Sequence, residues 1–171
     1  KLEDCAFGDA QYRSRGGPIG VTELEPDAVT QAFLDACVEA GHPRTADYNG
    51  AAPEGTAPLQ LSVRNGIRSS AGLEYLAPAR HRPNLHVVTN AIAERVLFDG
   101  RCARGVRYRV GGEAREARAA REVLVCAGAL RSPQLLELSG VGDAERLGAL
   151  GIPVVQHLRG VGENLQDHLM P

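Results

Sequence analysis

The residues with the chemistry to serve a site are small residues after an apolar run, glycines at paired spacing, and scattered histidines. Val123-Leu124-Val125-Cys126-Ala127 runs without alternation into Gly128-Ala129. Such a run predicts a strand covered on both faces, as in a parallel sheet. The carboxyl end of such a strand is where open α/β sheets seat ligands. Small side chains at Ala127, Gly128 and Ala129 let a ligand approach the backbone closely. They equally let a strand pack tightly against the next helix, and spacing alone leaves both readings open. Gly140-Val141-Gly142 and Gly160-Val161-Gly162 each supply the first two glycines of a dinucleotide fingerprint. Glu145 and Leu165 stand where the third belongs, and the first pattern follows a helix instead of a strand. Both read as turns, so no phosphate-binding loop is expected. His42, His81, His86, His157 and His168 lie apart from any nucleophile and read as solvated or structural. Asp167 beside His168 does not make an oriented base, because adjacent side chains rarely face one another.

The cysteines at 5, 37, 102 and 126 lack the paired spacing of a zinc site, so no metal is expected. Cys37 and Cys126 sit inside apolar patterns and read as buried free thiols in a reducing compartment. No Gly-x-Ser-x-Gly elbow is present. A net charge of −2 over 171 residues gives no electrostatic pull toward nucleic acid. No apolar run is long enough to span a membrane, and the first residues carry no signal-peptide pattern.

Several elements must position these residues. Residues 11–25 read as an irregular loop. Pro26 opens a helix in its first turn beside Asp27, with Val29, Phe33, Ala36, Cys37 and Ala40 on one helical face and Gly41 and then Pro43 closing it. Ser69 or Ser70 caps a short helix ending at Pro78. Leu85–Thr89 and Ile92–Phe98 read as strands, with Asp99-Gly100 as a hairpin turn. Ala103–Val110, a Gly111-Gly112 turn and Glu113–Arg118 complete a meander with one wet face. A helix opens at Ser132-Pro133, and Val154–Leu158 is a further strand. The pattern is α/β (α+β mixed), with a candidate cofactor turn at Ala127-Gly128.

The stretch Gly128-Ala129-Leu130-Arg131-Ser132-Pro133-Gln134-Leu135-Leu136-Glu137-Leu138-Ser139-Gly140-Val141-Gly142 resembles the second signature of the glucose–methanol–choline (GMC) oxidoreductases. Further landmarks of that family follow its order: Gly16-Gly17-Pro18, Asp47-Tyr48-Asn49-Gly50, Gly66 to Ala71, Arg82-Pro83-Asn84-Leu85, Asp99-Gly100, Glu122-Val123-Leu124 and Gly162 to His168. The resemblance covers nearly the whole chain.

It implies FAD as cofactor, a small-molecule alcohol as substrate and a separate electron acceptor, as in choline/alcohol dehydrogenase-like enzymes that move a hydride to the flavin. The family's GxGxxG turn and its C-terminal histidine base have no counterpart here. The expectation is therefore a central fragment of a bacterial, cytoplasmic enzyme, inactive alone. The alternative is a complete non-catalytic binding module. By resemblance, residues 1–80 belong to the substrate-binding or cap domain with its connecting helices. Residues 81–142 form the central part of a Rossmann-like FAD-binding domain with its antiparallel meander, and 143–171 return toward the substrate domain. Ala93 would meet the FAD adenine through its backbone, while Ala127 and Gly128 would border the dinucleotide. No catalytic residue maps onto this chain. Exposed sheet edges and apolar faces in such a fragment favour self-association.

Overall fold

The computed structural model describes residues 2–168. The chain divides into two compact units, one ending at His86 and the other beginning at Val87.

In the first unit, β1 (Glu3–Cys5) pairs in parallel with β2 (Ile19–Glu23), which pairs antiparallel with β3 (Gln60–Leu61). Helix α1 spans Ala28–Glu39, as the 3.6-residue period predicts. Asp27 is its N-cap, accepting from the Thr30 N–H at 2.7 Å. Hydrogen bonding from Thr30 holds the Asp27 carboxyl below the usual carboxylate range. Pro26 therefore precedes the cap and does not sit in the first turn, because the carboxylate next to it is the better partner for the first free N–H groups.

The apolar stripe of α1 is largely exposed. Val29 is 79% and Phe33 67% exposed, while Leu34 on a different line is buried. Periodicity reports that an apolar stripe exists, not what covers it.

β4 (Val63–Arg64) and β5 (Ile67–Arg68) form a hairpin turning at Asn65-Gly66, both at positive φ as such a turn requires. A π-helical turn at Gly72–Leu76 runs on into α2 (Ala77–Ala79), so this helix passes Pro78. Proline sits in the first turn of α2, where its missing N–H costs nothing.

In the second unit, β6 (Ala91–Asp99), β7 (Cys102–Val110) and β8 (Glu113–Arg118) form the expected antiparallel meander in that order. The β6–β7 register shifts between Ala93 and Arg95 and again between Leu97 and Phe98. Such bulges re-aim the side chains around them. Helix α3 spans Gly128–Leu138 and packs on β6, burying Leu135 and Val96. It begins four residues before the expected Ser132-Pro133 start and carries Pro133 inside. The Ser132 hydroxyl accepts from the Ala127 N–H at 3.1 Å, so it works one turn into the helix.

After α3, β9 (Val141–Gly142) pairs in parallel with β10 (Gln156–His157), the only laddered part of the strand expected over Val154–Leu158. Between them lies α4 (Ala144–Ala149), capped by Asp143, which accepts from the Glu145 and Arg146 N–H groups at 3.1 Å. Gly140–Glu145 is thus not a plain turn but a strand followed by a capped helix. That helix is short, and its own carboxylate already occupies the N-terminus. Leu147 is fully buried beneath it.

Two expected strands are absent. Among the described residues, 85–89 and 123–127 lie in no sheet, and Leu124 is 75% exposed. Cys126, expected to be buried, is exposed with them. A run of this kind becomes a covered strand only between neighbours, and the sheets of this unit are a three-stranded meander and a two-strand ladder that do not include it. Among the described residues no cysteine is bridged, no acidic, thiol or imidazole cluster could hold a metal, and no helix is long and apolar enough to cross a membrane.

Candidate functional site

An open cavity of about 730 Å³ lies between β6 and α3. Ala91, Ile92, Ala93 and Glu94 form one wall, and Ala127, Arg131, Gln134, Leu135 and Leu138 the other. The structure thus brings Ala93 and Ala127 into one cavity, although 34 positions part them in sequence. Gly128 follows Ala127 as the first residue of α3, at φ +85, and the space where its Cβ would stand is open. Among the described residues, Ala127 caps this helix N-terminus with no side-chain hydrogen bond of its own. Small residues on both walls leave room for a flat ring to reach backbone on either side.

The charges of the cavity are unequal. Glu94 accepts from Arg109 Nε at 2.8 Å and from Arg107 Nε at 3.2 Å, so its carboxylate is already compensated. Arg131 donates to the Gln134 side-chain oxygen at 2.9 Å and makes no ion pair among the described residues.

Ser139 sets the spacing of the two walls. Its hydroxyl accepts from the buried Val96 N–H on the free edge of β6 at 2.8 Å and donates to the Leu135 carbonyl of α3. An edge strand otherwise leaves such an N–H without a partner. Ser139→Ala is expected to cost about 1–3 kcal/mol of stability by orphaning that N–H in a buried position. A denaturation midpoint unchanged from wild type would rule out the clamp.

A polar cluster in the first unit was not visible in the sequence. Arg13, in the stretch read as irregular loop, has a side chain only 4% exposed. Its Nη2 donates to Glu3 Oε2 at 3.1 Å and to Cys5 Sγ at 3.2 Å, and its Nη1 donates to Gln60 Oε1 at 3.2 Å. Asp47 Oδ1 lies 3.5 Å from Nη1 and accepts from Gln60 Nε2 and from the Asn49 N–H. Burial pushes the Asp47 carboxyl up, but those two hydrogen bonds and the Arg13 charge outweigh it and hold it below the usual range. The partners come from positions 3, 5, 47 and 60, a spacing no local pattern reveals. The second landmark, Asp47 to Gly50, is the one sequence signal that touched it.

Of the histidines, His157 takes a structural place. His157 Nδ1 accepts from the Ala144 N–H at 3.0 Å and helps seat α4, while the His168 backbone N–H donates to Asp167 Oδ1.

A family model described as GMC oxidoreductase matches residues 4–170. The oxygen-dependent choline dehydrogenase of Burkholderia ambifaria is 49% identical over 172 aligned positions, covering 99% of this chain and 30% of that protein. The protein of the same description from Burkholderia multivorans is 48% identical with the same coverage. The chain therefore spans about a third of the length of these relatives. Among solved structures, an FAD-dependent oxidoreductase from Chaetomium thermophilum matches with a TM-score of 0.91 at 29% identity, over 98% of this chain and 32% of that one. Pyridoxine 4-oxidase from Mesorbium loti matches with a TM-score of 0.85 at 29% identity, over 91% of this chain and 31% of that one.

Proposed function

The chain belongs to the GMC oxidoreductase family, and from that premise we propose that it is the central segment of an FAD-dependent enzyme oxidising an alcohol CH–OH group, of choline dehydrogenase-like type. The observation that carries this reading is the cavity between β6 and α3, which joins Ala93 to Ala127 beside Gly128. Its size and small-residue walls fit the adenosine half of a dinucleotide. Ala93 would meet the adenine through its backbone, and the Ala127-Gly128 turn would border the dinucleotide with no side chain in the way. When bound, FAD supplies the two-electron acceptor that alcohol oxidation needs. The contribution of this chain is binding and orientation. Val96, Ser139 and Leu135 hold the two walls at a fixed separation. No residue of this chain is assigned the removal of the hydroxyl proton. Unbridged cysteines accord with a reducing, cytoplasmic setting.

The intact mass and visible spectrum of the natural polypeptide test the proposal together. A yellow protein much longer than 171 residues that oxidises a small alcohol is expected. The chain alone with added FAD is expected to show no turnover. A natural product that is colourless and takes up no FAD would sink the reading.

A further inference from the structure

The β6–α3 cavity holds two charged side chains, and only one of them is spent. Glu94 is bound by two arginines from β7. Arg131, on the opposite wall, makes no ion pair among the described residues. Its hydrogen bond to the Gln134 oxygen at 2.9 Å leaves the charge of the guanidinium uncompensated. The uncompensated charge of the cavity is therefore positive, in a setting otherwise lined by alanine, leucine and isoleucine. An unpaired guanidinium beside small apolar walls suits a ligand with a flat apolar part and a phosphate.

We propose that Arg131 reads phosphate in this cavity, contacting the diphosphate of an adenosine ligand whose base lies between Ala93 and Ala127. The inference rests on the adenosine reading above and adds the residue that distinguishes a phosphorylated adenosine from a bare one. Arg131 orients and binds, and takes no part in proton or electron transfer. Gln134 positions it.

The test uses the full-length protein stripped of flavin, with calorimetric titration of FAD, ADP and adenosine into wild type, Arg131→Gln and Arg131→Lys. Wild type is expected to bind ADP more tightly than adenosine, and added salt should narrow the gap. Arg131→Gln should weaken ADP and FAD about tenfold while leaving adenosine unchanged. Arg131→Lys, which keeps the charge, should recover part of the loss. Arg131 is exposed, so melting temperatures should agree among the three proteins. An ADP-to-adenosine ratio identical in wild type and Arg131→Gln would overturn the role of Arg131 and leave the adenosine cavity standing. If ADP and adenosine neither bind nor compete with FAD, the cavity is not an adenosine site and both readings fall.

Discussion

Replacing Gly140 by alanine is expected to destabilise the protein by roughly 3–5 kcal/mol, among the largest effects of any single substitution here. Gly140 sits at φ +88, where an L side chain is strained. A Cβ there would also stand 2.3 Å from the Pro153 carbonyl oxygen, a backbone atom that cannot swing away. The same residue accepts from the Val155 and Gln156 N–H groups at 2.8 and 3.1 Å, so moving it disturbs the entry to β10. Gly128 provides the internal control. Its φ is +85, nearly the same, but nothing lies within 4 Å of the added carbon. Gly128→Ala, measured without flavin, should therefore cost only the conformational part, about 1–2 kcal/mol. Chemical denaturation of both variants separates crowding from backbone strain. Equal losses would mean that Pro153 yields, and that the contact is not rigid.

Arg13→Met should cost a similar amount, roughly 3–5 kcal/mol, because removing one member of a buried charge cluster strands the others. Methionine keeps most of the volume, so the loss reports charge and not a cavity. Glu3 and Asp47 would remain with their negative charges and without the guanidinium between them. The pH dependence follows from the depressed pKa of Asp47 in the wild type. Its ionised form contributes stability that is present above the unfolded carboxylate value, about 4, and lost as pH falls through the lower folded value. Without Arg13 the stranded carboxylates favour protonation. The deficit of Arg13→Met relative to wild type should thus be largest near neutral pH and shrink on acidification. Urea melts from neutral pH down to about 3 would check this, and a deficit that widens in acid would refute it.

The meander was legible because its signals are local. Asp99-Gly100 and Gly111-Gly112 demand tight turns, and the alternation of Val106, Tyr108 and Val110 with arginines fixes which residues share a face. Helix α1 was legible for the same reason, through its period and its flanking Asp27 and Gly41. The signature from Gly128 to Gly142 carried the family, and the family match bears it out over nearly the whole chain.

Tertiary structure decided the rest, since it depends on which surfaces meet. Whether Val123 to Ala127 is a covered strand depends on neighbours that an apolar run implies but does not contain. Whether the stripe of α1 is buried depends in the same way on a partner. Arg13 looked like loop composition until Glu3, Cys5, Asp47 and Gln60 closed around it, because desolvation and pairing are properties of position in space. The sequence by itself determined the local elements, the turns and the family. Only the fold determined that Ala93 and Ala127 share a cavity, that Ser139 holds its walls and that Arg131 has no counter-charge among the described residues. Side-chain chemistry is local, whereas burial, charge balance and distance arise only once remote segments are brought together.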